Sequence, residues 1–272
     1  MPVTIDDIRR AVRAAGLSAR PLCVHSSLRF FGWVDGGAAT VVRGLLDEGC
    51  TILVPSFSLT FSIPPPPHLR PPRNAWDYDQ PMSGLMGEGR TYTPSTNEIS
   101  RWLGIVPTTV VQMEGRVRGN HPLNSFSAVG PLASDLIERQ QPDNVYAPLE
   151  RLAELQGAVV LMGVGLTSMT LIHLAERLAG RTLFRRWAND ADGEAMMMEV
   201  GSCSTGFNAF DPVLAPLERH VTVGESLWRI FPAGPALAAA TNAIRHDPTI
   251  THCGKSECRC NDAVLGGPIL DR

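Results

Sequence analysis

The chain has little sulfur, no excess of charge and no long apolar run, and each shortage excludes something. Six cysteines in 272 residues are too few for a disulfide-built scaffold. Cys23 and Cys50 lie inside apolar, strand-like runs where reduced thiols pack, which points to a reducing, cytoplasmic setting. With 24 basic against 27 acidic residues the net charge is only -3, so no global electrostatic footprint for nucleic acid or an anionic membrane exists. No stretch approaches the ~20 apolar residues that span a bilayer. Met1 to Arg20 lack the basic head and apolar core of an export signal, so a soluble, unexported protein is expected. What is present is 44% hydrophobic side chain against 19% charged, enough to build the core of one enlarged α/β domain covering residues 1–272.

The periodicity supports that class. Thr4 can cap a helix through Ile5, Ile8, Val12 and Ala15, with Gly16 placed to end it. Leu22 to His25 reads as a buried strand, Val41 to Leu46 as a helix and Thr51 to Val54 as a second strand. Strand, helix and strand at this spacing form a right-handed crossover with parallel strands. Ser56 to Pro94 breaks the pattern: Pro64 to Pro67, then Pro71, Pro72 and Pro81, forbid a continuous helix or central strand. A loop of that length carrying Trp76, Tyr78, Met82 and Met86 suits contact with a substrate. Further on, Asn97 to Leu103 reads as helix and Thr108 to Met113 as strand; Ser134 to Gln140 and Leu149 to Leu155 read as short helices. Ala158 to Met162 is a strongly apolar strand running into Gly163-Val164-Gly165 and a helix from Met169 to Leu178. Ala195 to Val200 suggests a strand and Leu237 to Ile244 a last helix.

Three stretches carry candidate chemistry. In GVGLTSMTLIHLAE, Gly163 to Glu176, the residues Leu171, Leu174, Ala175 and Leu178 share one helical stripe. His173 and Glu176, three apart, neighbour each other on another side. A carboxylate beside an imidazole fixes its tautomer, as a general base accepting an amine proton requires; an exposed ion pair on an amphipathic helix would have the same spacing. VHSSL, Val24 to Leu28, ends the first strand, the edge at which open α/β sheets bind ligands, and sets His25, Ser26 and Ser27 there. Its alternative is an ordinary turn with a satisfied histidine. HPLNSFSAVG, His121 to Gly130, preceded by Arg116 and Arg118, suits an anionic cofactor, although any loop has such a composition.

Taken together, VHSSL, the Gly36-Gly37 turn, LVPSF (53–57), TPS (93–95), HPLNSF (121–126), APLERL (147–152) and GVGLTSMTLIHLAE resemble, in order, the signature of the aminoglycoside 3-N-acetyltransferases. The resemblance implies a three-layer α/β/α sandwich around a mostly parallel sheet, unlike the small acetyltransferase fold, with acetyl-coenzyme A as co-substrate and no metal. By the same carry-over His173 is the base, Glu176 orients it, and His25, Ser26, Ser27 and Leu28 line the reactive end of the cofactor. Thr93, Ser95, Ser125 and Phe126 help hold its pantetheine arm and phosphates. The implied reaction is direct acetyl transfer, through a ternary complex, to the 3-amino group of an aminoglycoside's 2-deoxystreptamine ring, as an antibiotic-resistance activity in a monomer or homodimer. A biosynthetic acetyltransferase acting on an amino-sugar, natural-product or nucleotide-linked amine, or a coenzyme-A-binding relative without turnover, would share the signature. The chain departs from it at Gly119 and Asn120, which separate Arg118 from His121 and loosen the expected phosphate contacts.

A polycationic acceptor needs carboxylates. Trp76, Asp77, Asp79 and Glu88 in the proline-rich loop, with Asp190, Asp192 and Glu194 in a second acidic stretch, are the candidates, and solvated loops would have the same composition. Cys23 would face the same way as His25 on an alternating strand, but a thiol in the strand body is expected to be inert. The Gly163-Val164-Gly165 turn lacks the third glycine of a dinucleotide fingerprint, so neither flavin nor nicotinamide is expected. His252, Cys253, Cys258 and Cys260 crowd four ligand types into nine residues, a poor match for the paired spacing of structural zinc, and residues 246–272 are expected to form a flexible, reduced tail.

Overall fold

The computed structural model describes residues 1–71, 74–75, 77–78, 87–201, 203–256 and 258–260. Among the described residues ten strands are formed: β1 (Pro21–Ser26), β2 (Thr51–Pro55), β3 (Ser62–Ile63), β4 (Val117–Arg118), β5 (Phe126–Val129), β6 (Ala158–Met162), β7 (Phe184–Asn189), β8 (Ala195–Val200), β9 (Arg219–Val223) and β10 (Ser226–Pro232). Eight helices accompany them there: α1 (Ile5–Ala14), α2 (Gly37–Asp47), α3 (Ile105–Gln112), α4 (Ala133–Ile137), α5 (Ala147–Glu154), α6 (Leu171–Leu178), α7 (Asp211–Leu214) and α8 (Ala233–His246).

The main sheet runs β4-β5-β2-β1-β6-β10-β9. Its heart, β2-β1-β6, is parallel, as the crossover between β1 and β2 requires, and antiparallel strands complete both edges. Because side chains alternate across a strand, the sheet feeds two cores. Cys23, Leu53, Val159 and Leu161 pack under α4, α5, α6 and α8. Leu22, Val24, Ile52 and Val160 pack under α1, α2 and α3. Every residue of β6 is buried, which explains why AVVLM reads as an uninterrupted apolar run rather than an alternation. The result is a three-layer sandwich. A second sheet, β3-β7-β8, has its own small cluster of Phe61, Tyr92, Leu123, Phe184 and Met198 and stands beside the first. Among the described residues no helix is long and apolar enough to cross a membrane.

Two elements differ from the sequence reading. The β-branched residues of Thr108 to Met113 predict a strand, yet the segment lies in helix α3. Packing overrides propensity here: Val106 and Val110 are buried against α2, Val111 is also buried, and Pro107 sits in the first turn, where its missing N–H costs little. The Thr108 and Thr109 hydroxyls donate to the carbonyls of Gly104 (2.9 Å) and Ile105 (3.0 Å), so both are satisfied within the helix. Asn97 to Leu103, expected as helix, forms only a single 3₁₀ turn at Arg101–Leu103. Side-chain guanidinium groups compete for its carbonyls: Arg116 and Arg118 both donate to Thr96, and Arg118 also to Glu98. Among its described residues the proline-rich excursion forms β3 and two 3₁₀ turns, Leu59–Phe61 and Pro67–Leu69.

Leu161 is wholly buried at the centre of the parallel strands. Leu161→Ala should lower the unfolding free energy by about 2–5 kcal/mol in urea denaturation; a loss below about 1 kcal/mol would place that side chain outside the principal core.

Candidate active site

The carboxyl ends of β2, β1 and β6 open on one edge of the sheet, where an open α/β sheet binds ligands. A cleft of about 1200 Å³ lies there. Pro55 from β2 lines it, as do His25 and Ser26 from β1, then Ser27, Leu28, Arg29 and Phe30 from the turn that follows. After β6 the chain passes through Gly163-Val164-Gly165, also on the wall, and enters α6, which brings His173 to the same cavity.

His173 is 8% and Glu176 1% exposed, so the pair is no surface ion pair; α6 is buried on both its apolar and its polar side. His173 Nδ1 lies 2.7 Å from Glu176 Oε2. The other carboxylate oxygen, Oε1, accepts from Arg181 Nη1 at 2.8 Å. Arg181 is itself fixed by the Thr251 hydroxyl (2.6 Å) and the Pro248 carbonyl. A carboxylate can only accept, so Nδ1 carries a proton, and in the neutral ring the lone pair is on Nε2. Two aromatic rings pack against it: Tyr146 stacks at 6.1 Å between centroids and 13° between planes, and Phe207 meets it edge-on at 4.8 Å and 61°. Gly201 makes room for His173 and Tyr146, since a Cβ there would sit 2.8 Å from His173 Cδ2 and 2.3 Å from the Tyr146 oxygen.

The β1 residues differ in character. Burial alone pushes His25 down to about 4, so it is a neutral imidazole at ordinary pH, 3.6 Å from Cys23 Sγ. Burial likewise pushes the Cys23 thiol far upward, so a thiolate nucleophile is suppressed there. Ser26 lines the cleft, and its buried Oγ has no hydrogen-bond partner among the described residues.

A family model described as aminoglycoside 3-N-acetyltransferase matches residues 23–245, which takes in the cleft, the dyad and all but the last residue of α8. The chain belongs to the aminoglycoside 3-N-acetyltransferases. Aminoglycoside N(3)-acetyltransferase IX of Micromonospora chalcea is 28% identical over 270 residues, covering 89% of this chain and 94% of its own length. A variant of the aminoglycoside acetyltransferase AAC(3)-IVa, crystallised in complex with a gentamicin, shares the fold with a TM-score of 0.77 at 24% identity, over 98% of each chain. The structure of AAC-IIIb in its binary complex with CoASH gives a TM-score of 0.74 at 20% identity, over 90% of this chain and 97% of that one. At those identities the two structures establish the fold.

In this member of the acetyltransferase family, His173, His25, Ser26, Ser27 and Leu28 all line the one cleft, and Glu176 is hydrogen-bonded to His173. The remaining predicted residues stand elsewhere. Thr93 and Ser95 are both exposed and hydrogen-bonded to each other at 2.7 Å. Ser125 is buried between Ser56 and Arg118, and Phe126 belongs to the core beneath α4 and α5. From that motif it is Asn124 that reaches the cleft. His121 positions Asn124: its Nδ1 accepts from the Asn124 backbone N–H at 2.9 Å, and its Nε2 donates to the Glu199 carbonyl at 2.8 Å. Asp77 pairs with Arg259 at 3.0 Å and Glu88 with Arg90 at 3.0 Å. Asp190 accepts from the backbone of Asp192 and Glu194 and so closes the β7-β8 turn. Trp76 and Asp79 lie outside the described residues. None of the described residues lining the cleft is acidic.

Arg181, Tyr146, Phe207 and Gly201 escape the sequence reading. They support His173 from four separate segments, and nothing local to any one of them signals the convergence.

The buried histidines give a pH test. His25 and His121 are each pushed down to about 4 by burial, whereas unfolded imidazoles titrate near ~6.5. Between those values the unfolded chain binds more protons, so their contribution to stability is complete above about pH 6.5 and is lost as pH falls toward 4. His25→Gln should reduce the slope of unfolding free energy against pH in that window by up to about 1.4 kcal/mol per pH unit. Urea denaturation across the window reads it, and an unchanged slope would contradict a neutral, buried His25.

Proposed function

We propose that this protein transfers the acetyl group of acetyl-coenzyme A directly to an amine of an aminoglycoside, the 3-amino group of the 2-deoxystreptamine ring, with His173 as general base. The observation that carries the reading is the imidazole held by Glu176 on the wall of a cleft large enough for two ligands at once. The acceptor nitrogen attacks the thioester carbonyl carbon, His173 Nε2 takes the amine proton, and the C–S bond breaks to release coenzyme A. A protonated amine has no lone pair, so proton removal near neutral pH is the first requirement, typically contributing about 10²- to 10⁴-fold. Positioning both reactants in one cleft supplies much of the rest.

The β1 end suits the thioester. The Ser26 hydroxyl can donate to the carbonyl oxygen as negative charge develops there, and a neutral His25 adds no charge to compete with it. Ser27 and Leu28 would flank the same atoms. Arg29, on the cleft wall, is a cation suited to the cofactor's phosphates. The suppressed Cys23 thiolate favours direct transfer over an acetyl-cysteine intermediate. Since the described wall has no carboxylate, those that meet the acceptor's ammonium groups would come from the proline-rich loop with Trp76, Asp77, Asp79 and Glu88, and from Asp190 and Asp192. Antibiotic resistance is the corresponding biological role, in a cytoplasmic monomer or homodimer.

Coenzyme A release with kanamycin, gentamicin and apramycin, measured beside simple amino sugars, tests the acceptor. Turnover confined to the amino sugars would redirect the reading to biosynthesis, and thermal stabilisation by coenzyme A without turnover on any amine would leave a binding protein. His173→Ala should abolish turnover while coenzyme A affinity stays nearly unchanged; activity within tenfold of the parent would remove His173 from the chemistry. Glu176→Ala should cost less, because it orients the base and does not carry the proton.

A further inference from the structure

Sequence spacing singles out His252, Cys253, Cys258 and Cys260, and the fold exchanges one member of that group. Cys203, fifty residues upstream in the turn after β8, takes the place of His252: the sulfurs of Cys203, Cys253, Cys258 and Cys260 all lie within 4.8 Å of one another. None is in a disulfide. The Cys253 and Cys260 sulfurs are 3.5 Å apart. A tetrahedral four-thiolate zinc ion, with bonds of about 2.3 Å, needs its sulfurs about 3.8 Å apart, so the group requires little adjustment to close on one.

Backbone N–H groups point at three of the four sulfurs. The Thr205 N–H donates to Cys203 Sγ at 3.4 Å, two residues on. The same offset recurs at Lys255 toward Cys253 and at Cys260 toward Cys258. Such N–H···S contacts stabilise negative sulfur and orient it, as outer-shell partners of metal ligands do. Three of the four cysteines come from the described residues after α8, which form turns and neither helix nor strand.

We propose that Cys203, Cys253, Cys258 and Cys260 bind one structural zinc ion, which fastens the wall of the cleft to the C-terminal segment. Cys203 immediately precedes Ser204 and Thr205, which line the cleft, and Phe207, whose ring braces His173, follows shortly after. Gly206 already lies so close to the C-terminal segment that a Cβ would meet the Thr251 carbonyl oxygen at 2.4 Å. On the far side Thr251 and Pro248 hold Arg181, the partner of Glu176. The ion therefore joins two segments that both support the dyad, one through Phe207 and the other through Arg181. It takes no part in acetyl transfer, and its presence does not depend on the acceptor.

Metal analysis of untagged full-length protein, purified without chelator from zinc-supplemented medium, should find close to one zinc per chain. Cobalt substitution of the same protein should give the ligand-field and sulfur-to-metal charge-transfer bands of a tetrahedral four-thiolate site. Cys203→Ser should lower zinc content and raise KM several-fold more than it lowers kcat, whereas His252→Gln should leave zinc in place. If Cys203→Ser does not fold, the cobalt spectrum of the parent protein still decides. Zinc below about a tenth of an equivalent after reconstitution, a cobalt spectrum without thiolate bands, or a Cys253–Cys260 disulfide in the native protein would each overturn the proposal.

Discussion

The site depends on one buried carboxylate. Glu176 accepts from His173 with one oxygen and from Arg181 with the other, and almost none of it reaches solvent. A charge in that position is tolerated only because both oxygens are matched; removing either partner of such a pair typically costs about 3–5 kcal/mol. The arrangement thus serves two ends. It fixes the imidazole tautomer, and through Arg181, Thr251 and Pro248 it ties the middle of α6 to the chain beyond α8.

The fold explains why this carboxylate sits beside a cleft. Parallel β1 and β6 end together, so the turn after β1 and the helix after β6 face each other across the sheet edge. Histidines serve three different purposes there. His173 is braced by a carboxylate and opens on the cleft, His25 is a neutral group at the strand end, and His121 is a structural link that sets Asn124 on the wall. Only the environment separates them, since the three have the same side chain.

Much of this is legible in sequence because local pattern and tertiary role agree. The apolar run of β6, the turn at Gly163 and the spacing of His173 and Glu176 place the dyad on a helix at the end of a strand. The burial of that dyad is not legible: α6 covers its polar side as well, since Tyr146, Phe207 and Arg181 arrive from distant segments. Helix α3 departs from its local pattern for a related reason, its valines being chosen by contact with α2 instead of by backbone preference. Arg116 and Arg118 look like phosphate ligands in sequence, yet their guanidinium groups are spent on the carbonyls of residues 94–98. The cysteine group reads poorly as a metal site for want of Cys203, whose place beside the tail follows from the path of the chain after β8 and from no spacing rule.

The central claim is that Glu176 leaves His173 Nε2 as the basic nitrogen facing the cleft. Nitrogen-15 NMR of the His173 ring at neutral pH tests it most directly. A protonated Nδ1 with an unprotonated Nε2 is the predicted signature, with Nε2 shifting when an aminoglycoside is added and Glu176→Gln disturbing the assignment. An Nε2-protonated ring, or one indifferent to both the acceptor and Glu176, would contradict the account.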